Sequence, residues 1–302
     1  MPRVVSLIAS ATEIVCGLGL QNTLVGRSHE CDWPAGVLAL PQLTEAKFKV
    51  EGSSADIDQR VQEIVRDGLS VYRVHGEAMR ALDPDVIVTQ DHCDVCAVSL
   101  SDVDAATCTW TGRPVRIVSL KPDSLADVYG DIGRVAEALD APAAGVRLVA
   151  EMKARFAAVA ARVAQRPRPR AAFVEWVEPM MAGGNWMPEI VEFAGGVNLF
   201  GENGKRSDWM QWEDLRAADP DVIVVAPCGY DLNRCLQELP LLQARSGWAQ
   251  VKAVREGRVY FADGNAFFNR PGPRLAESAE MLAGMLHPDP GAAACPAWTR
   301  AG

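Results

Sequence analysis

The sequence predicts an α/β fold of two lobes, each a parallel β-sheet flanked by helices, with a single long backbone helix joining them. Three observations lead there. The stretch Glu77-Ala-Met-Arg-Ala-Leu-Asp-Pro-Asp-Val-Ile-Val88 returns as Glu213-Asp-Leu-Arg-Ala-Ala-Asp-Pro-Asp-Val-Ile-Val224, so the chain holds two related halves. β-branched runs alternate with helical patterns in both halves, which argues for parallel strands with helices on the sheet faces. Between the halves, Ala143 to Gln165 is rich in good helix formers and free of proline.

The elements follow in order. Val4-Val5-Ser6-Leu7-Ile8 reads as a first strand leading to a helix that contains Thr12-Glu13-Ile14-Val15 and stops at Gly17 and Gly19. Its counterpart is Ala171 to Glu175, then Pro188-Glu189-Ile190-Val191, stopping at Gly195-Gly196. Glycine suits both stops because it takes positive φ without a Cβ penalty. In each copy of the repeat a helix ends at Asp-Pro, where proline has no amide hydrogen and disfavours helix in the residue before it. A buried strand follows. Each half closes on another strand, Arg116 to Leu120 and Arg258 to Phe261. From about Ser124 to Gln165 the pattern is helical, Pro142 starting the second segment, which at about 1.5 Å per residue would span roughly 30 Å. The expected division is 1–123 for the first lobe, 124–168 for the linking helical segment and 169–302 for the second lobe.

A chain of 302 residues, 49% of them hydrophobic, can bury two cores. The net charge of −9 argues against a nucleic-acid partner, which requires clustered Lys and Arg. The one basic cluster, Arg166-Pro-Arg-Pro-Arg170, reads as a solvated, stiffened linker and not as a phosphate patch. No apolar run reaches the roughly 18 to 20 residues that cross a bilayer, so membrane insertion is not expected. Met1-Pro2-Arg3 runs straight into a strand with no leader-like segment. The expectation is a cytoplasmic chain as written, or a periplasmic one if a leader has been removed. Eight scattered cysteines suggest reduced thiols.

Ligands of open parallel sheets bind beyond the carboxyl ends of the strands. The loops there hold most of the aromatic residues, and five of the eight tryptophans fall between 176 and 248, which suggests a cleft lined by indoles. Such a cleft between the lobes suits a large, flat, partly apolar guest. Trp33, Trp176, Trp186, Trp209, Phe267 and Phe268 would supply apolar faces, and His29, Glu30, Asn269 and Arg270 polar contacts. The imidazole of His29 could also fill an axial position of a bound metal.

The opening Arg3-Val-Val-Ser-Leu-Ile-Ala-Ser-Ala-Thr-Glu13, Cys31-Asp-Trp-Pro34, the doubled Asp-Pro-Asp-Val-Ile-Val, Ala194-Gly-Gly-Val-Asn198 and Asn269-Arg-Pro-Gly-Pro-Arg-Leu275 together resemble the helical-backbone (class III) solute-binding proteins of ATP-driven importers. The likeness is greatest to the vitamin B12 binders. It implies a corrinoid such as cobalamin held by aromatic contacts without covalent chemistry, hence no enzyme activity, and an ABC permease partner docked through Glu77 and Glu213. Relative to that family an extra segment, roughly 48–74, lengthens the first lobe.

The loop Gln90-Asp-His-Cys-Asp-Val-Cys96 is not expected of that family. Cys93 and Cys96 have the spacing of a zinc or redox pair, with His92 adjacent. A second pair that would complete a structural zinc site is absent, although Cys31 and His29 could converge on it; a buried loop with hydrogen-bonded thiols is the plainer reading. The rivals to ligand binding are therefore a cytoplasmic metal- or thiol-dependent enzyme using that motif, and an interaction protein whose cleft a partner segment fills. Phosphate loops and serine nucleophile elbows are absent.

Overall fold

In the computed structural model two units divide the chain: Met1–Glu51, Gln59–Pro122 and Ala126–Glu151 form the first, and Gly52–Asp58, Asp123–Leu125 and Met152–Gly302 the second. The structure describes residues 1–48, 51–66, 71–90, 103, 107, 114–289 and 295–301.

The first half of the chain opens with β1 (Val4–Ser6), α1 (Ala9–Gly17), β2 (Leu24–Arg27) and β3 (Thr44–Ala46), then α2 (Ser54–Arg66), whose first turn belongs to the second unit, β4 (Tyr72–Val74), α3 (Gly76–Ala81), β5 (Val86–Gln90) and β6 (Arg116–Leu120). Helices α4 (Leu125–Ala138) and α5 (Pro142–Val163) follow. The second unit contains β7 (Arg170–Trp176), β8 (Met181–Ala182), α6 (Met187–Phe193), β9 (Val197–Asn198), α7 (Trp212–Ala218) and β10 (Val222–Val225). It ends with α8 (Leu232–Leu236), α9 (Leu239–Gln243), α10 (Lys252–Arg255), β11 (Val259–Ala262), α11 (Leu275–Leu286) and β12 (Trp298–Arg300).

The first sheet has the order β2-β1-β5-β6 and every pairing in it is parallel. The second has the order β12-β11-β10-β7-β8, with β9 also on β7; its centre, β7, β10 and β11, is parallel. Crossing helices bury these central strands on both faces, and so their sequences are continuous apolar runs. Val86, Ile87 and Val88 of β5 are at most 3% exposed, and Val222 to Val225 of β10 at most 1%. Each such side chain contributes on the order of 1.5–3 kcal/mol by leaving water.

The repeated Asp-Pro-Asp sets where these strands begin. Its first aspartate takes a left-handed backbone in both halves, Asp83 at φ 40° and Asp219 at φ 43°, which reverses the chain as α3 and α7 end. The second aspartate clamps the neighbouring strand. In the first unit the Asp85 amide donates to the Arg3 carbonyl at 2.8 Å, and the Arg3 amide donates to Asp85 Oδ2 at 2.6 Å. The second unit repeats this, Asp221 N–H to the Arg170 carbonyl at 2.9 Å and Arg170 N–H to Asp221 Oδ2 at 2.7 Å. The duplicated motif is thus a register clamp between strands that lie far apart in sequence.

Helix α5 joins the units. Its buried positions Gly145, Leu148, Met152, Phe156, Val159 and Val163 recur at helical spacing. The boundary between the two units falls inside α5, between Glu151 and Met152, and residues 126–138 of α4 belong to the first unit. A Cβ on Gly145 would come within 2.7 Å of the Ala136 Cβ, so the two helices meet closely there. On the second-unit half of α5, Arg155 grips Glu280 of α11 through two bonds of 2.8 and 2.9 Å.

The basic cluster stays largely exposed, but two of its arginines are bonded. Arg166 donates to the His287 carbonyl at 3.1 Å and to Asp289, and Arg168 donates twice to the Gly196 carbonyl. Carbonyls at helix ends lack intrahelical partners, and these guanidinium groups supply them.

Burial raises the Asp221 carboxyl, but the bond and charge of Lys252 and the Arg170 amide more than offset it and hold the group below its usual range. A depressed carboxylate stabilises the fold above its unfolded value near 3.9, and that stability is lost as pH falls through the folded value. Asp221→Asn should therefore lower stability by about 1–3 kcal/mol at pH 7. Urea titrations should show the gap between variant and parent closing below about pH 4.

Candidate functional site

In the first unit the loop beyond β2 carries three of the expected residues. His29 is half-buried, and its Nδ1 lies 2.7 Å from Thr44 Oγ1, while its amide donates to the same hydroxyl at 3.0 Å. Thr44, at the start of β3, donates in turn to Ser28 Oγ at 3.1 Å. Burial, then the nearby Arg27 charge, hold the imidazole below its ordinary range, so it is neutral at pH 7. With Nδ1 anchored on Thr44, Nε2 is the nitrogen left for a ligand. Glu30 accepts the Tyr72 phenol at 3.1 Å through Oε1, and Tyr72 stands 5.2 Å from the His29 ring. Trp33, in the same loop, is 42% exposed.

The second unit gathers its residues beyond β7, β10 and β11. Trp176 is half-buried at the end of β7, donates its indole N–H to the Glu178 carbonyl at 3.1 Å and stands 5.1 Å from Tyr230 of the β10 loop. Trp209 is 51% exposed and bridges to Met181 of β8. In the β11 loop Phe267 lies under the Arg274 guanidinium at 4.2 Å, and Arg270, only 6% exposed, donates to Asn265 Oδ1 at 3.0 Å. Gly264 lets this loop approach the β10 loop: a Cβ there would sit 2.3 Å from the Pro227 carbonyl.

Three expected contacts have other work. Phe268 is fully buried, packs on Phe173 at 5.4 Å, and holds a left-handed φ of 45° with its amide bonded to Ser278 Oγ at 3.0 Å. Trp186 is 5% exposed and donates its indole N–H to the Phe268 carbonyl at 2.7 Å. Both rings are core of the second unit, because an indole or phenyl ring in a loop is covered whenever the lobe beneath offers an apolar hollow. Asn269 donates its amide to the Ala226 and Gly264 carbonyls at 3.0 and 3.1 Å, stitching two loops together. Sequence reasoning singled out none of Thr44, Tyr72 and Arg274; only the fold brings them beside His29, Glu30 and Phe267.

Glu77 and Glu213 occupy the same place in each repeat, the second residue of α3 and of α7, and both are exposed. His92, Cys93 and Cys96 lie outside the described residues. Among the described residues no group of three or more His, Cys, Asp or Glu could hold a metal ion, so Cys31 and His29 form no such set there. Among the described residues Cys16, Cys228, Cys235 and Cys295 are free thiols, and the buried Cys31 Sγ accepts the Thr12 hydroxyl at 3.0 Å. A cavity of about 270 Å³ opens along β6, but its lining of Arg116, Ile117, Val118, Ser119, Arg134 and Glu137 has no aromatic face for a planar guest.

The sequence pattern of the family described as periplasmic binding protein matches residues 4–266. The chain belongs to that family. A substrate-binding lipoprotein of an ABC transporter from Bacillus subtilis, YvrC, itself uncharacterised, is 23% identical over 296 residues, covering 95% of this chain and 80% of its own. The periplasmic vitamin B12 binding protein BtuF of Vibrio cholerae superposes with a TM-score of 0.65 at 18% identity, covering 94% of this chain and 96% of its own. A periplasmic haem binding protein from Pseudomonas aeruginosa gives 0.72 at 19% identity, covering 100% and 99%. These likenesses establish the two-lobed periplasmic-binding-protein fold with its connecting helix. The cytoplasmic setting expected from the first residues has no counterpart among these three. No described helix is long and apolar enough to cross a membrane.

Phe268→Ala should cost about 3–5 kcal/mol, as expected for a phenyl group lost from a packed core. Trp209→Ala, at a half-exposed ring, should stay within about 1 kcal/mol of the parent. Thermal unfolding of the two variants side by side checks the division between core and surface aromatics.

Proposed function

We propose that this chain is a solute-binding protein for a corrinoid or a similar large metal chelate such as haem, held through its aromatic strand-end loops without catalysis. The observation that carries the reading is that, among the described residues, the indoles of Trp33 and Trp209 stay half-exposed after folding, at 42% and 51%. Exposed tryptophans in strand-end loops gain little for the fold, whereas covering an aromatic ring on binding contributes about 1.5–3 kcal/mol. Trp176 and Phe267 supply further apolar faces, and Glu30 and Arg270 meet polar substituents of the ring. His29 offers Nε2 as an axial donor to the bound metal; its neutral state at pH 7 suits that role.

Membership in the periplasmic binding protein family supports the reading, as do relatives named for vitamin B12 and for haem. Glu77 and Glu213, matched by the repeat and each exposed in the first turn of a short helix, would dock onto cationic residues of an ABC permease. Exposed carboxylates of this kind contribute little to stability, so their placement serves recognition.

Titration with cyanocobalamin and with haemin, followed by tryptophan fluorescence and by retention of colour through a desalting column, tests the proposal. One of the two should bind, and Trp33→Ala and Trp209→Ala should each weaken it by about tenfold or more while leaving the melting temperature within a few degrees. A chain that retains neither chromophore, with fluorescence indifferent to both, sinks the reading. Glu77→Arg combined with Glu213→Arg should leave ligand affinity unchanged and abolish ligand-stimulated ATP hydrolysis by a partner permease in nanodiscs. Loss of ligand binding in that double variant would instead place the two carboxylates in the ligand site.

A further inference from the structure

The extra segment of the first half plays no part in the binding role above, yet its start is built with care. Residues Gly52–Asp58 group with the second unit although the sequence places them in the first half. Ser53 and Asp56 cap α2 reciprocally: the Ser53 amide and hydroxyl both donate to Asp56 Oδ2 at 2.8 Å, and the Asp56 amide donates back to Ser53 Oγ at 3.3 Å. Gly52 precedes them at φ 101°, where a Cβ would meet Asp56 Oδ2 at 2.8 Å.

With that turn fixed, the fully buried Ser54 donates its hydroxyl to Glu238 Oε2 at 2.6 Å. Glu238 is 1% exposed, and its other oxygen accepts Arg234 at 2.7 Å. Arg234 also donates to the Gly52 carbonyl at 2.6 Å and to the Tyr230 phenol oxygen at 3.0 Å, and its guanidinium lies 4.1 Å above the Tyr230 ring. Tyr230 is the ring that stands against Trp176. A carboxylate this deeply buried is rare, and it is tolerated here because both its oxygens are paired.

We propose that Ser54 and Glu238 are positioning residues for Trp176: they hold Arg234 over Tyr230, and Tyr230 sets the plane of the Trp176 indole. The inference rests on the reading of Trp176 as a ligand-facing ring. Removing the Ser54 hydroxyl leaves one carboxylate oxygen of Glu238 without its donor, which loosens Arg234 and lets Tyr230 and Trp176 reorient. A mere staple for the segment would change stability and nothing else.

The test compares the parent with Ser54→Ala, Trp176→Phe and the double variant, with Glu238→Gln as the substitute should Ser54→Ala fail to fold. Near-ultraviolet circular dichroism, parent minus Trp176→Phe, isolates the band of Trp176 in its tyrosine contact. That band should fall by about half in Ser54→Ala, and affinity for whichever of haemin and cyanocobalamin the parent binds should weaken about tenfold. In the Trp176→Phe background the same substitution should have no further effect on affinity, since coupled residues are not additive. A Ser54→Ala protein with a lowered melting temperature but an unchanged band and affinity overturns the proposal, as does an equal loss of affinity in both backgrounds. If the parent binds neither chromophore, the ligand reading fails on its own, and the dichroism band still decides whether Ser54 orients Trp176.

Discussion

The second aspartate of each Asp-Pro-Asp corner ties the start of a repeated strand to the strand beside it, through its own amide and its carboxylate. In a parallel sheet neighbouring strands are joined by long crossovers, so no tight turn fixes their register. The clamp does so instead, with Arg3 opposite Asp85 and Arg170 opposite Asp221. Because side chains alternate along a strand, a slip of one residue would exchange the side chains that pack on the two faces of the sheet and misfit both. The same clamp decides how far the strands run, and hence where the loops beyond their carboxyl ends begin. Trp176 stands at the end of one of the clamped strands, β7, against Tyr230 in the loop beyond another, β10.

Much of the architecture was legible because it was written twice. The repeat located β5 and β10, and proline with glycine marked the ends of α1, α3, α6 and α7. What sequence did not reveal was the left-handed backbone at Asp83 and Asp219, since aspartate carries no such signal as openly as glycine does. The helical link was visible in composition, but its partition between Glu151 and Met152 depends on what each half of α5 packs against, a tertiary matter. Arg166 and Arg168 lie near the surface, and the carbonyls they bond are tertiary partners that composition does not show.

The loops that carry the candidate residues were legible in the sequence, and the burial of each ring was not. Aromatic residues in strand-end loops were correctly located, yet spacing cannot separate a ring that faces solvent from one that plugs its own lobe. Trp209 and Trp186 lie in neighbouring loops and end with opposite fates, the first half-exposed, the second capped by the Phe268 carbonyl. Phe268 shows how far the loop is committed inward, because a bulky residue adopts positive φ at a cost of about 1–3 kcal/mol unless packing holds it there. Conversely, the sharpest polar feature in the second unit, the buried Glu238, lay in a stretch with no motif at all. Its importance comes from a serine 184 positions earlier.

The free thiols carry a chemical consequence of their own. Burial, with the neighbouring Glu13 and Cys31, pushes the Cys16 thiol up to about 11, and burial pushes Cys235 up to about 12. Only the thiolate attacks a disulfide or an oxidant, so near neutral pH both side chains are held in the unreactive thiol form. The half-buried Cys16 and the buried Cys235 thus behave more as small apolar groups than as nucleophiles, and the fold around them depends on no covalent cross-link between the two.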